Sequence, residues 1–327
     1  MTHAHAAPVG EDVAAALPPR AVIGVLTWNG LSTTRACLAS LTRLRGWPIP
    51  IVVVDNGSHD REGEALAGEF GPPVEAVTLR RNRAVAGGYN AAMRWAAERG
   101  ATHILLLNND TVVTDPSMLD RLVAAAAPDV AAVGPLILNQ DGTTFSAGGR
   151  LSWLTGQTGH RRTPLAGDGA YDAPWLDGPC VLVSLDAVRH VGGLDPTFVS
   201  YWEDVDWCTR AVRAGFRCLA EPRTSIVHLR GGTIPTPEAE AFDLRNQVLF
   251  IRRHGRLIDN LTALAFFLLV RAPLHVIRRA TSWPRFVGAL RSVQIAVAWN
   301  ARDAWRQRRW RIPATGPAIA AMPDASE

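Results

Sequence analysis

Lysine is absent from this chain: all 34 of its basic residues are arginine. That excludes a Walker A phosphate loop, whose lysine reaches the β/γ-phosphates, and every chemistry built on a lysine Schiff base. Cysteine is scarce. Cys37, Cys180, Cys208 and Cys218 form no CxxC pair, so neither a zinc site of standard spacing nor a disulfide scaffold is expected, and they read as reduced, mostly buried thiols of a cytoplasmic protein. There is no GxSxG, no HExxH and no GxGxxG after a strand, which argues against hydrolase, metalloprotease and Rossmann dehydrogenase readings. Residues 1–19 carry Glu11 and Asp12 but no apolar run with basic flanks, and read as a disordered tail rather than a signal peptide. The longest late apolar run, Leu261–Val270, is short of the ~20 residues of a bilayer span and meets Arg271 and Pro273. No internal repeat is visible.

What is present is enough for a sizeable core. Hydrophobic residues are 47% and charged residues 20% of 327, a globular balance rather than a disordered or fibrous one. The net charge of +4 hides an asymmetry. Residues 1–244 are net −6, residues 245–311 carry 14 arginines against two acids, net +12, and the last 16 residues add −2. A basic C-terminal segment on a mildly acidic body implies an anionic partner. Its tryptophans (Trp283, Trp299, Trp305, Trp310) would suit nucleic acid, but its apolar content favours a membrane surface.

The first half alternates buried-strand runs with amphipathic helices. Strands are expected over Ala21–Thr27, Ile51–Val54, Val74–Leu79 and His103–Leu107, and helices over Ser32–Leu44, with Ser32 as cap, and Gly87–Glu98. Continuous apolar strands with intervening helices imply an α/β fold, a mainly parallel central sheet flanked by helices. Later come candidate strands at Val133–Leu138, Cys180–Ser184, Phe216–Leu219 and Ser225–His228, a hairpin around Gly148–Gly149, and helices over Glu203–Ala214 and Phe242–Arg253.

Polar residues gather just after the strands, where open α/β sheets bind ligands. Thr27-Trp28-Asn29 follows the first strand and Asp55-Asn56-Gly57-Ser58 the second. Asp55 can accept from a pyrimidine N3–H or simply form the turn. Gly87-Gly88 before a helix lets a diphosphate approach the backbone, or serves close packing; Asn82 and Asn90 could bond sugar or phosphate oxygens. Asn108-Asn109-Asp110 after the fourth strand offers Asp110 to a divalent cation bridging a diphosphate. Glu203, Asp204 and Asp206 crowd a helix start, as helix-capping charges or as acid–base groups. Trp202 could stack on a sugar or fill the core.

In order, these motifs together with Gly178-Pro179-Cys180, Gly192-Gly193-Leu194-Asp195, Arg210, Gly215 and His228-Leu229-Arg230-Gly231-Gly232-Thr233 resemble the family 2 glycosyltransferases of GT-A fold, particularly the rhamnosyltransferase-like branch, over about residues 20–255. The resemblance implies that Thr27, Asn29 and Asp55 meet the nucleotide, with Asn82, Gly87, Gly88, Asn90, Asn108 and Asn109 also on the donor side. It implies that Asp110 and His228 hold Mg²⁺ or Mn²⁺, that Asp204 is the base of an inverting displacement, and that Trp202 and Glu203 lie on the acceptor side. Ala84 stands where relatives often have glycine. The expected organisation is a tail (1–19), a catalytic domain (20–255), a basic amphipathic helical extension (256–311) and a flexible tail (312–327). The expected activity moves rhamnose or a similar sugar from a dTDP- or UDP-sugar to a glycan or lipid-linked acceptor, at the inner face of the cell membrane. The alternative is a non-catalytic sugar-nucleotide or glycan binding protein of the same fold; nucleic acid is not an expected partner.

Overall fold

The computed structural model describes residues 20–229 and 236–309. The expected tails and Arg230-Gly231-Gly232-Thr233 lie outside the described residues, as do Trp310 and the side chain of Trp305.

The chain runs β1 (Ala21–Thr27), α1 (Leu31–Leu41), β2 (Ile51–Asp55), α2 (Glu62–Phe70), β3 (Val74–Thr78), α3 (Ala84–Glu98), β4 (His103–Asn108), β5 (Thr111–Val113), α4 (Met118–Ala124) and β6 (Val130–Leu138). It continues through β7 (Thr144–Ser146), β8 (Gly149–Ser152), β9 (Gln157–His160), β10 (Tyr171–Asp172), β11 (Cys180–Ser184), α5 (Leu185–Val191), α6 (Glu203–Arg213) and β12 (Arg217–His228). Four helices follow: α7 (Thr236–His254), α8 (Leu257–Phe266), α9 (Ala272–Arg279) and α10 (Trp283–Arg309).

The main sheet has the order β10-β12-β6-β11-β4-β1-β2-β3. Pairing is parallel from β3 to β4 and between β6 and β12, while β11 runs antiparallel between β4 and β6. Ile51, Val52, Val53, Val54, Leu105 and Leu107 are fully or almost fully buried because helices cover both faces. Register sets Thr27 beside Asp55 and Leu26 beside Asn108, so three polar strand ends reach one edge. All four cysteines are free and buried.

Five local expectations are corrected. Helix α3 begins at Ala84, in a left-handed backbone (φ 58), so Gly87-Gly88 lies inside it rather than before it. A Cβ on Gly88 would fall 2.3 Å from Leu26 Cδ1, so that glycine is required by helix–strand packing. Helix α1 starts at Leu31 on Gly30, with Ser32 inside it. The hairpin is Gly149–His160, because β7 pairs with β6 and β8 with β9. The two short strands after Gly215 are one strand, β12, irregular between Glu221 and Ser225, where Arg223 pairs with the fully buried Glu221. Finally, Leu261–Val270 does not stop at Arg271. A π-helical turn, Phe267–Arg271, carries the helix into α9 with Pro273 in its first turn, where a missing N–H costs little. Leu257–Arg279 is therefore one 23-residue helical segment containing an 18-residue window of mean hydropathy 1.6, long and apolar enough by length and composition to cross a bilayer.

Candidate active site

The strand-end residues of the first half are knitted to one another. Asp55 is fully buried; its Oδ1 accepts from Ser58 N (2.8 Å) and its Oδ2 from Gly63 N (3.1 Å). The carboxylate anchors the β2–α2 turn and the start of α2, which is the turn reading rather than an open face for a base. Thr27 Oγ1 lies 2.7 Å from Thr34 Oγ1. Asn29, exposed and left-handed (φ 51), accepts from His59 N and donates its own N–H to Ser58 Oγ. Asn109 Nδ2 donates to Thr34 Oγ1 (3.0 Å). The residue that binds these loops was not foreseen: Glu62, 8% exposed, accepts from Gly30 N (2.8 Å), Thr27 Oγ1 and Ser58 Oγ. Asn82 Oδ1 caps α3 by accepting from Ala84 N (2.7 Å) and also accepts from Asn56. Asn90 exchanges two hydrogen bonds with the backbone of Leu194 (both 2.9 Å), fixing the 192–195 loop to α3.

Asp110 and His228 do meet. Pairing of β5 with β12 places His228 opposite Thr111, and His228 Nε2 lies 3.2 Å from Asp110 Oδ2, with both side chains mostly buried. Two donors each about 2.1 Å from one ion, at right angles, would lie about 3 Å apart, so the pair fits two positions of a divalent cation. His228 Nδ1 is buried with no hydrogen-bond partner among the described residues. Among those residues no third acidic, histidine or cysteine side chain completes a metal cluster.

The acidic helix start sorts its carboxylates by environment. Asp206, 2% exposed, bonds Arg210 Nε (2.8 Å) and His254 Nε2 (2.7 Å). Burial alone would raise it, but these partners hold it below the usual carboxylate range; it is structural. Asp204, only half-buried, accepts from Gly178 N (3.1 Å) and Val205 N (2.8 Å). Desolvation, then the charge of Asp177, pushes it up to about 6. Glu203 is 7% exposed, its Oε2 has no hydrogen-bond partner among the described residues, and burial followed by the neighbouring Asp204 charge pushes it up to about 8. Trp202 is corrected: at 3% exposure, with Nε1 donating to Asp243 (2.8 Å) and its ring 5.3 Å from Phe250, it is core, not a sugar platform.

These acids follow a strained segment. Val199, Tyr201 and Trp202 all have positive φ (64, 65 and 74). Buried Asn246 on α7 donates through Nδ2 to the carbonyls of Phe198, Ser200 and Tyr201 (2.8–2.9 Å), and Arg245 donates to those of Thr197 and Phe198. Helix α10 backs this clamp, with Asn300 Nδ2 on Arg245 O (2.9 Å) and the Trp299 ring 4.6 Å from the guanidinium. Helix α10, which lies beyond the expected boundary after residue 255, thus packs on the helix that holds the 197–202 loop. A second unforeseen cluster adjoins it: Asp177 accepts from Ser146 Oγ and lies 2.7 Å from His160 Nδ1.

A narrow void lies between α3, the sheet and α6. Val85, Met93, Leu106, Leu176, Val181, Val183, Leu194, Trp207 and Cys208 line it with Tyr89, Gly178, Glu203 and Asp204. Tyr89 joins its two ends: the hydroxyl donates to Asn108 Oδ1 (2.7 Å), two residues before Asp110, and reaches Gly178 O (3.5 Å), while Gly178 N donates to Asp204. The Tyr89 hydroxyl thus ties the strand end before Asp110 to the loop whose N–H holds Asp204.

Comparison with known proteins agrees with this architecture. Residues 22–187 match the model of "Glycosyl transferase family 2". An N-acetylglucosaminyl-diphospho-decaprenol L-rhamnosyltransferase of Mycobacterium tuberculosis is 26% identical over 249 residues, covering 67% of this chain and 80% of that protein. The dTDP-rhamnosyl transferase RfbF of Shigella flexneri is 21% identical over 251 residues, covering 71% and 80%. Among solved structures, a mannosyltransferase of Pyrobaculum calidifontis, in complex with GDP-Man and Mn²⁺, superposes with a TM-score of 0.55 at 17% identity, covering 90% of this chain and 84% of that one. The fold is of the GT-A type.

Proposed function

The chain belongs to glycosyl transferase family 2, and from that premise we propose that it transfers rhamnose or a similar sugar, with inversion, from a nucleoside diphosphate donor to a hydroxyl of a glycan or lipid-linked acceptor. The observation that carries this is the hydrogen-bonded link Asn108–Tyr89–Gly178–Asp204, which connects the proposed base to the strand end that leads into Asp110, itself 3.2 Å from His228. The rhamnosyltransferase relatives support a dTDP-linked donor. Half-buried and raised to about 6, Asp204 remains ionised at neutral pH yet is a stronger proton acceptor than an ordinary carboxylate. It takes the acceptor's proton as that oxygen bonds the anomeric carbon and the carbon–diphosphate bond breaks. Asp110 and His228 would hold Mg²⁺ or Mn²⁺, whose charge offsets that of the departing diphosphate. Loops tied by Glu62 present Asn29 and Asn109 to the nucleotide side, with Thr27 buried beneath them, and Asn82 and Asn90 hold the ends of the loops that border the donor. The test is transfer from dTDP-rhamnose with and without EDTA. Activity lost in chelator and restored by Mn²⁺ supports the reading; full activity in excess chelator rejects the cation site.

For the acceptor we propose the inner membrane face. Leu257, Leu269 and Ile277 are 77%, 77% and 67% exposed, and Trp283 75%. Exposed Arg256, Arg278, Arg285 and Arg291 rim this face. Arg271 pairs with Asp243, and Arg279 with Glu240, tying the segment to α7, which favours lying on the surface over spanning it. Each well-placed arginine near an anionic leaflet contributes about 1 kcal/mol. Flotation on anionic vesicles should be salt-sensitive and be lost in the Leu257→Asp/Leu269→Asp variant; equal flotation of that variant rejects the assignment.

A further inference from the structure

Gly149 opens the β8–β9 hairpin, and a Cβ there would fall 2.1 Å from the Trp175 ring; the missing side chain lets that indole press on the hairpin. The rings of Trp175 and Phe145 stand 5.4 and 4.4 Å from that of His160, so packing fixes the imidazole. Its Nδ1 lies 2.7 Å from Asp177 Oδ1, an ion contact without the alignment of a hydrogen bond. Asp177 is 6% exposed, and the fully buried Ser146 donates its hydroxyl to Oδ2. This grouping is not a hydrolytic triad: the hydroxyl bonds the carboxylate rather than the imidazole, so nothing activates it as a nucleophile. It leads instead to the proposed base. One peptide bond joins Asp177 to Gly178, whose N–H donates to Asp204 Oδ2 (3.1 Å). Resting on the reading of Asp204 as the base, we propose that Asp177 is a positioning residue for it: oriented by Ser146 and His160, Asp177 is the buried charge that sets how readily Asp204 takes a proton.

A negative charge near a carboxylate disfavours its ionised form, and a positive charge favours it. Burial is the first cause of the raised pKa of Asp204 and the charge of Asp177 the second; the N–H groups of Val205 and Gly178 oppose them, and so does the charge of His160. The other acids at the helix start do not take this role. Asp206 is offset by Arg210 and His254. Glu203, pushed up to about 8, is uncharged where Asp204 titrates. Around the histidine, Arg162 lies over Phe145 (5.2 Å), Arg150 reaches the His160 carbonyl, and the His228 ring stands 6.1 Å from Phe145. His160 is thus the cation in contact with Asp177. Asp177 makes Asp204 a better proton acceptor, and His160 trims that gain.

The experiment uses the full chain and reads Asp204 first, the reaction second. Carboxyl carbons are titrated by ¹³C NMR, the Asp204 signal being the one lost in Asp204→Asn. In the parent it should titrate at about 6. Asp177→Asn keeps the shape and an acceptor for Ser146, and should lower that midpoint by about one pH unit; His160→Gln should raise it, by less. The acid limb of kcat/KM for sugar transfer should move in the same two directions, with turnover of Asp177→Asn at neutral pH reduced a few-fold because its base is weaker. Opposite shifts from two touching residues are not what lost packing produces. If Asp177→Asn does not fold, His160→Gln, at a partly exposed side chain, carries the test alone: a raised midpoint supports the charge pair and an unmoved one overturns it. An Asp204 midpoint unmoved in both variants, or moved the same way in both, overturns the proposal. A midpoint that shifts while the rate profile stays put upholds the charge pair and rejects Asp204 as the base. Absence of transfer from every nucleoside diphosphate sugar, with the midpoints shifting as expected, rejects the sugar-transfer reading alone.

Discussion

The two halves of the active site are held in place by different physics. On the nucleotide side, Thr27, Asp55 and Asn108 sit at ends of neighbouring parallel strands, and their loops are satisfied by turn residues close in sequence or space: Ser58 and Gly63 on Asp55, and Glu62 on Gly30. On the base side, Glu203 and Asp204 follow three residues in left-handed backbone. Their hydrogen-bonding support, Asn246, comes 45 residues after Tyr201 and from another helix. Such conformations persist only where surroundings over-determine them. The nucleotide side therefore resembles a rigid ledge of the sheet, while the base side depends on the C-terminal helices. Mutations should divide along that line.

The largest effect is expected at the base. Asp204→Asn preserves shape and removes proton acceptance, so kcat should fall by roughly 10²–10⁴-fold with donor affinity unchanged. In the parent, kcat/KM should fall as pH drops through about 6, because Asp204 is raised to that value and is active only when ionised; a profile flat from pH 5 to 8 would assign the base elsewhere.

Next comes the clamp. Asn246→Ala removes the three hydrogen bonds of its Nδ2 to a strained loop and leaves buried carbonyls unmet, at a cost of about 1–3 kcal/mol. Turnover should drop about 10- to 100-fold, since a misplaced catalytic group is costly, while dTDP binding stays within twofold. Loss of both in equal measure would erase the distinction between the halves.

A smaller and purely structural loss is expected on the nucleotide side. Asp55→Ala orphans the buried N–H groups of Ser58 and Gly63, so stability should fall by about 1–3 kcal/mol in denaturant titrations. Any weakening of nucleotide binding should disappear once the folded fraction is accounted for. A stable Asp55→Ala protein with much weaker dTDP binding would restore the direct base contact.

The same division governs what the sequence could disclose. Strand Ala21–Thr27, and the strand expected over Val74–Leu79 and observed over Val74–Thr78, were legible because apolar run length is a local signal, whereas the meeting of Asp110 with His228 was expected from the family resemblance. Gly87-Gly88 misled because a glycine pair marks close packing as readily as a loop, and here Leu26 is the neighbour. Pro273 misled because a π-turn absorbs it. Glu62, Tyr89, His160 and Asn246 act through partners distant in sequence, and nothing in their immediate neighbours announces them; the only hint was Glu62 in the first turn after the Asp55-Asn56-Gly57-Ser58 motif.

The smallest expected effect concerns Trp202, which stands next to the catalytic acids yet faces away from the cleft. Its side chain is 3% exposed against Phe250, and its Nε1 donates to Asp243, a residue that also holds Arg271. Trp202→Phe keeps an aromatic ring against Phe250 and adds no steric demand on a backbone already at φ 74. It deletes one hydrogen bond whose acceptor keeps its arginine, so the loss should be about 0.5–1.5 kcal/mol, with some packing cost from the smaller ring. Acceptor KM should stay within twofold and kcat within about threefold, because Asn246, not the indole, fixes the loop. A sugar-stacking tryptophan behaves oppositely: Phe there would leave stability untouched and raise acceptor KM several-fold. Measuring the melting transition and acceptor KM on the same variant separates the two, and a raised KM at unchanged stability would return Trp202 to the acceptor side.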